Sequence, residues 1–360
     1  MKTFMGKILV NLSFISKKPT GITNYANQIF PYLKDLNPIL LSSTQIPHYD
    51  CYSVPNNLTP DQGSKGHLSR LMWTQWQLPQ VYQQLKPSLL FSPLPEAPLY
   101  QNCRFVVMFH DLIPLRFPKK ISPLTPYHRY YVPQVLKQAE HIICNSQATA
   151  QDITDFLHIP IDKITPIPLA HDRTHFRFLN LPTRNYFLYI GRPDPYKNLQ
   201  RLITAFSALP ERDDYELWLA GPSDQRYTPL LQSQVAALGI THLVKFLNYV
   251  PYSELPIIIN QAIALVFPSL WEGFGFPVLE AMACGTPVIT SNISSLPEVA
   301  GDAAMLINPY NTEEITAAMK MIINGSGLRQ QLSQKSLARA NLFSWDKTGQ
   351  ATVEVLKQHI

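Results

Sequence analysis

Two glutamates, Glu272 and Glu280, bracket a short glycine-bearing segment, EGFGFPVLE, with seven residues between them. Gly273 and Gly275 let backbone N–H groups approach a ligand without a Cβ in the way, and Pro277 suits the opening of a helix. The apolar run before them, residues 262–267, is short, partly β-branched or aromatic, and stopped by Pro268, as a buried strand would be. Strand, glycine loop and helix start in succession form an anion site, because unpaired N–H groups and the positive end of the helix dipole turn into the loop. A phosphate fits there. A carboxylate beside a phosphate repels it, so the glutamates are better suited to accept hydrogen bonds from neighbouring hydroxyls, as on a sugar or ribose. The residue types alone also allow a plainer arrangement, with Glu280 favouring the helix start and Glu272 solvated.

Further charge follows another apolar run. Gly191 and Arg192 close residues 186–191, and Lys197 stands at the start of the next helical stretch. Arg192 offers a planar fork of donors and Lys197 a mobile point charge, two complementary ways to hold a diphosphate; either alone reads equally as surface charge. His110 and Asp111 end the run 105–109. A histidine at a strand's carboxyl end is a candidate site residue, the alternative being a core histidine satisfied by a neighbour. Gly21 closes the turn after the first strand, residues 7–12, where an α/β sheet meets its ligands, although a turn explains the glycine too. No DxD-type metal motif is evident, and metal independence is the expectation.

These residues need parallel sheets to position them. From residue 186 the chain alternates strand 186–191, helix 198–209, strand 216–221, helix 228–238, strand 243–247 and helix 253–260 before the strand 262–267. A helix of about two turns follows, stopped by Gly285 and Pro287, and then strand 288–290. The first half predicts a helix over 22–36, a variable loop over 41–66, strands 89–92, 105–109, 141–145 and 164–168, and a helix over 147–157. Leu68, Leu71, Met72, Leu78, Val81 and Leu85 predict one amphipathic helix over 67–85 despite Pro79. Helices 313–324, 328–341 and 345–359 close the chain, and the domain break falls within 178–184.

A length of 360 residues suits two domains. No run approaches the roughly 20 apolar residues of a membrane span, and residues 1–13 read as a first strand with no signal-peptide cleavage site. Cys51, Cys103, Cys144 and Cys284 show no metal-ligand pairing, which predicts a reducing, cytoplasmic setting. Of the net charge of +5, the first half is the basic part: residues 1–180 hold 17 Lys/Arg against 10 Asp/Glu, and the rest 13 against 15. This asymmetry suits an anionic partner, a membrane surface or lipid-linked acceptor, as well as a plain solvated face. Arg116, Lys119, Lys120 and Arg129 among Phe117, Tyr127, Tyr130 and Tyr131 fit a membrane interface or phosphate-bearing acceptor, or else a helix with one core and one solvated face. No nucleic-acid signature is present.

The stretch FPSLWEGFGFPVLEAMACGTPVITSN, residues 267–292, resembles the retaining family-4 glycosyltransferases of the GT-B fold, whose EGFGxPxxEAMAxGxPV pattern it matches nearly letter for letter. GRPDPYKN is similar to the family's GRxxxxKN, and TGITNYANQI, the HD pair and ICNSQATAQDI look like further family segments. PLAHD departs from it: Ala170 and His171 stand where relatives often carry a glycine before the aspartate. The resemblance covers most of the chain and is strongest over 186–308. It implies an α/β, GT-B architecture of two Rossmann-like domains with parallel sheets facing a central cleft. Residues 1–180 would bind acceptor, 181–343 the nucleotide sugar, and a final helix, 344–360, would pack back on the first domain.

The same resemblance implies roles. Arg192 and Lys197, with Gly191 and the amides of Gly273, Phe274 and Gly275, would neutralise the leaving nucleoside diphosphate. Glu280 would bind the ribose, Glu272 the donor sugar, and His110, with Asp111 and Gly21, would meet the donor from the first domain. The implied reaction is retaining hexosyl transfer to a glycan, lipid-linked or small-molecule acceptor, with no cofactor beyond the donor substrate; the missing DxD motif adds metal independence, and the basic first half adds peripheral contact with an anionic membrane surface at the cytoplasmic face as an open partner. RLMWTQWQLP and HDLIPLRFP look like mannosyltransferase-type relatives, favouring GDP-mannose over the rival UDP-glucose. A catalytically silent nucleotide-sugar-binding subunit is the alternative of another class.

Overall fold

The computed structural model describes residues 7–16, 21–118 and 124–360. Pro19 and Thr20 of the first turn, and Lys119 and Lys120 of the basic segment, lie outside the described residues. The chain divides into two compact units, Met1–Leu169 with Trp345–Ile360, and Ala170–Ser344.

In the first unit, seven strands form one sheet: β1 (Ile8–Asn11), β2 (Pro38–Ser42), β3 (Asp50–Ser53), β4 (Leu89–Ser92), β5 (Phe105–Phe109), β6 (His141–Cys144) and β7 (Ile164–Pro166). Their order is β3-β2-β1-β4-β5-β6-β7, and every pairing is parallel. Strands such as β4, LLFS, and β5, FVVMF, are buried along their whole length. Continuous apolar runs of this kind belong to parallel strands covered on both faces.

The second unit repeats the plan with six parallel strands: β8 (Tyr186–Ile190), β9 (Glu216–Ala220), β10 (Val244–Asn248), β11 (Ala264–Phe267), β12 (Val288–Ser291) and β13 (Met305–Ile307). The order is β10-β9-β8-β11-β12-β13. Both units are therefore Rossmann-like, and in each the order reverses beside the first strand, at β1/β4 and at β8/β11. Among the described residues, no helix is long and apolar enough to cross a membrane.

Several elements differ from the sequence expectation. The expected loop 41–66 contains β3, the edge strand, and the helix Gly63–Trp76 begins within it. The single helix expected over 67–85 is two, Gly63–Trp76 and Leu78–Leu85, with Pro79 in the first turn of the second, where its missing N–H costs little. The apolar stripe assigned to that stretch does not face inward throughout: Leu68 and Met72 are exposed, whereas Arg70 is 4% exposed. The helix expected over 22–36 is α-helical over Gly21–Ile29 and 3-10 over Phe30–Leu36, with Pro31 at the change. The aromatic segment forms a π-helical turn, Tyr127–Tyr131. Strand β13 had no sequence expectation.

Within the first unit, helix Trp345–Lys357 packs on the helix Gly21–Ile29 and the turns after it. Tyr32 donates to Asp346 Oδ1 at 2.7 Å, and Thr348 Oγ1 donates to the Pro168 carbonyl at 2.7 Å. Gly349 lies under the Tyr32 ring, where a Cβ would stand 2.3 Å from its Cγ. Glycine inside a helix ordinarily costs about 0.5–1 kcal/mol against alanine. Here the sign reverses: Gly349→Ala is expected to lower the melting temperature, because overpacking at about 1–3 kcal/mol outweighs the helix gain. Thermal unfolding of the variant decides it, and a higher melting temperature would refute the close fit.

Candidate functional site

In the second unit, β8 lies between β9 and β11, so the connections leaving β8 and β11 run to opposite sides and open a crevice beyond the strands' carboxyl ends. The two loops at that crevice are stitched together. Leu270 N donates to the Tyr196 carbonyl at 2.7 Å. Asn198, buried and left-handed at φ 64°, donates from Nδ2 to the carbonyls of Pro268 (3.0 Å) and Pro309 (2.7 Å). Across this seam Lys197 Nζ meets Glu272 Oε1 at 2.6 Å, with the two side chains only 13% and 10% exposed. Two predicted site residues far apart in sequence thus form one shielded, charge-assisted contact. The ammonium also lies 5.3 Å from the Phe267 ring centroid and 5.1 Å from that of Tyr196.

The glycine loop is held from beneath by two serines that sequence reasoning missed. Ser294 Oγ accepts from Glu272 N at 3.2 Å, and Ser295 Oγ lies 3.0 Å from the Glu272 carbonyl and 2.8 Å from that of Phe274. Their only sequence signal is a polar run, SNISS, at a strand end. Phe274 is buried, edge-on to Phe276 and Phe343. Gly273 is buried in the same loop. Gly275 has φ 109°, a left-handed conformation that demands glycine, and a Cβ there would stand 2.8 Å from Leu296 Cδ2.

Arg192 stands apart from Lys197. Its side chain is 63% exposed, with Nε 3.5 Å from Asp194 Oδ2 and Nη2 3.9 Å from Asp224 Oδ2. Asp224 is bound more tightly by Arg226, whose hydrogen bonds hold its carboxyl well below the usual range. Gly191 N donates to the Ala220 carbonyl at 2.9 Å. At Gly221, which the sequence reading passed over, a Cβ would lie 2.0 Å from the Gly191 carbonyl oxygen, so the ends of β8 and β9 close up only around glycine.

Glu280 lies inside the helix Phe276–Ala283, which has no acidic residue in its first turn, so it is not a helix-start charge. Its side chain is half-buried and makes no hydrogen bond or ion pair with the described residues. Burial pushes its carboxyl up to about 7. Its charge in turn adds to the burial that raises the Cys284 thiol and the Tyr252 phenol, each to about 12. A half-buried carboxyl without a protein partner is ready to accept hydrogen bonds from a hydroxylated ligand.

In the first unit, His110 follows β5 and donates from Nε2 to the Pro93 carbonyl at 3.0 Å, which leaves Nδ1 as the acceptor. Its ring meets Tyr25 edge-on at 5.3 Å, and its carbonyl accepts from Asn145 Nδ2 at 2.9 Å. Burial lowers the imidazole to about 4, so it is neutral at physiological pH. Asp111 Oδ1 accepts from Ile113 N at 3.0 Å, within its own turn. Gly21 is exposed at the first residue of its helix.

The loop supplying the Pro93 carbonyl is fixed by an ion pair absent from the sequence reading. Arg70 Nε and Nη2 clasp Glu96 Oε2 and Oε1 at 2.7 and 2.8 Å, both side chains being about as buried as the core. Arg70 Nη1 also donates to the Leu58 carbonyl at 3.0 Å, and Tyr127 OH to Glu96 Oε1 at 3.3 Å. Arg116 of the basic segment is likewise engaged, with Asp152.

Two Rossmann-like units of this topology define a GT-B architecture. The family model for glycosyl transferases group 1 matches residues 171–339, and that for Glycosyltransferase Family 4 matches residues 44–175. O-antigen chain mannosyltransferase B of Escherichia coli is 31% identical over 269 residues, 71% of this chain and 70% of that protein. O-antigen chain mannosyltransferase RfbU of Salmonella typhimurium is 29% identical over 328 residues, 88% of this chain and 90% of that protein. The crystal structure of Anabaena HepE with UDP-glucose superposes with TM-score 0.74 at 17% identity, covering 98% of this chain and 100% of the other. The chain belongs to the group 1, family-4 glycosyltransferases and is a glycosyltransferase enzyme.

The Glu280 environment has a pH consequence. Its carboxyl titrates near 4.5 when unfolded and near 7 when folded, so between those values the folded chain binds more protons and loses stability as pH rises. Above 7 both forms are ionised and the penalty is constant. The melting-temperature gain of Glu280→Gln over the natural protein is therefore expected to grow from pH 4.5 to 7 and then level off. A pH-independent difference would show that the site is solvated.

Proposed function

We propose that this glycosyltransferase transfers mannose from GDP-mannose to a hydroxyl of a glycan or lipid-linked acceptor, with retention at the anomeric carbon and without a metal ion. The choice of mannose is supported by the two O-antigen mannosyltransferases, similar over most of the chain. The donor site is carried by one observation above all, the half-buried, unpartnered Glu280 beside a stitched glycine loop. Unpaired cysteines fit the cytoplasmic setting in which we place the enzyme.

In this reading Glu280 accepts hydrogen bonds from the ribose hydroxyls and Glu272 from the donor sugar. As the bond from anomeric carbon to phosphate oxygen breaks, both electrons leave with the diphosphate. Lys197, Arg192 and the amides of the Gly273–Gly275 loop meet the charge that develops there. The acceptor oxygen bonds to the anomeric carbon from the same face, and its proton passes to the departing phosphate oxygen. The cationic side chains perform the neutralisation for which a metal would otherwise serve. Neutral His110, its Nδ1 free to accept, contacts a donor-sugar hydroxyl.

Two measurements test this. Arg192→Ala with Lys197→Ala is expected to lower kcat/KM by at least about a hundredfold, roughly 3 kcal/mol of transition-state stabilisation. Near-normal turnover would remove the clamp. Calorimetric titration with GDP, UDP and their hexose conjugates, with and without EDTA, should show EDTA-insensitive preference for GDP that Glu280→Ala abolishes. Preference for UDP would instead support glucosyl transfer, and donor binding without turnover on any acceptor would support a silent subunit.

A further inference from the structure

The first unit carries a groove of about 520 Å³ between the edge strand β3 and the consecutive helices Gly63–Trp76 and Leu78–Leu85. The helices run on through Gln77, whose backbone stays right-handed and whose N–H donates to the Trp73 carbonyl at 2.9 Å. Residues 73, 77, 80, 81 and 84 therefore fall on one stripe, turned toward β3. The groove has an apolar floor. Trp73 and Val81 are buried there with Val54, which follows β3; all three belong to the first unit's core, and half-buried Tyr52 packs against it. Above the floor, Gln77, Gln80 and Gln84 stand exposed along the helix side, and none of their side chains is hydrogen-bonded to a described residue. One exposed glutamine is ordinary. Three in register over an aromatic floor, in one concavity, make a binding surface.

The lining selects the ligand. Among the described residues that line the groove none is charged, so a charged chain finds no counter-charge there. Each glutamine brings two N–H donors and an acceptor oxygen, suited to groups that both donate and accept. A hydroxyl is such a group. Beneath the amides, the aromatic and aliphatic floor suits flat C–H faces. Hydroxyls set around apolar ring faces describe a neutral oligosaccharide, whereas an acyl chain would strip the amides of water without pairing them. We propose that this groove is a second carbohydrate site, binding a neutral oligosaccharide chain through Gln77, Gln80 and Gln84 with Tyr52 and Trp73 beneath the sugar rings. In the sheet order, β3 lies four strands from β5, the strand that leads to His110. At about 4.8 Å per strand that is roughly 19 Å, so transfer does not take place in the groove. Resting on the glycan acceptor proposed above, its role is to hold an acceptor chain several residues back from the reacting end, so that longer acceptors bind more tightly.

The full chain is titrated calorimetrically with α-mannopentaose, maltopentaose, mannose and the anionic pentamer of galacturonic acid. The natural protein is expected to bind at least one neutral pentasaccharide, and to bind mannose and the anionic pentamer at least about tenfold more weakly. Gln77→Ala/Gln80→Ala/Gln84→Ala is expected to weaken the pentasaccharide at least about tenfold, three hydrogen-bonding groups being lost. Alanine favours a helix at these exposed positions, so the variant keeps its fold. Gln83→Ala, exposed on the same helix outside the groove, should bind as the natural protein does. With acceptors of one to five residues built from the sugar that the enzyme elongates, KM should fall with length in the natural enzyme and stay flat in the triple variant, with kcat unchanged. Absence of binding to both neutral pentasaccharides, equal binding of the anionic pentamer, or binding and length dependence that the triple variant retains overturns the proposal. So does a concentration-dependent dimer in analytical ultracentrifugation that the triple variant disperses without any oligosaccharide binding, which would make a second copy the occupant. Failure of the mannosyl reading shows separately, in the nucleotide titration, which the triple variant should leave unchanged.

Discussion

An ammonium and a carboxylate 2.6 Å apart, largely screened from water, hold the second unit's crevice in shape. Desolvating both charges costs nearly what their attraction returns, so such a pair adds little net stability. Its effect is on placement. Lys197 comes from the loop after β8 and Glu272 from the loop after β11, the two strands on either side of the switch point. Fixing them to each other fixes the spacing between a positive charge and an acceptor oxygen. Asn198, Ser294 and Ser295 do the same for the backbone, since each bonds a main-chain group that no strand or helix satisfies.

The first unit meets the same mechanical problem with the same device. Its switch point lies between β1 and β4, and the loop after β4 would be a free proline-rich segment, SPLPEAPL, without an anchor. Arg70 supplies one by clasping Glu96, and Tyr127 adds a further donor. The held loop then presents the Pro93 carbonyl to His110, which selects the tautomer of a neutral ring. In each unit, a shielded ion pair immobilises the loop beyond the strand on the far side of the switch. The partners differ in origin: a preceding loop in the second unit, a preceding helix in the first.

Much of this was legible in the sequence where one force dominates. Continuous apolar runs announced β4, β5, β8 and β11, because strands covered on both faces admit nothing else. The glycine loop was legible because Gly275 and Pro277 have few other uses at such spacing. Sequence failed where forces compete. β3 is half exposed at the sheet edge and carries little apolar signal, and β13 is apolar, MLI, but only three residues long, too short to stand out. Ser294 acts through a backbone amide and Ser295 through backbone carbonyls, roles that leave no pattern. The Lys197–Glu272 contact depends on β8 and β11 being neighbours, a fact of topology and not of either segment.

The helix Gly63–Trp76 is the instructive failure. Periodicity reads Leu68, Leu71 and Met72 as a core face because transfer of apolar surface from water usually decides which side turns in. A guanidinium with a carboxylate waiting inside changes the balance. Leaving Glu96 buried and unpaired would cost several kcal/mol, more than roughly 1.5–3 kcal/mol for exposing one apolar side chain. The rotation that satisfies Glu96 turns Leu68, Met72 and Trp76 outward, and the bonds from Arg70 to the Leu58 carbonyl and between Gln75 and both the Ala97 carbonyl and Leu99 N favour the same rotation. Trp73, packed in the core on the same inward face, gives that face apolar burial as well, so one orientation satisfies both the ion pair and the core.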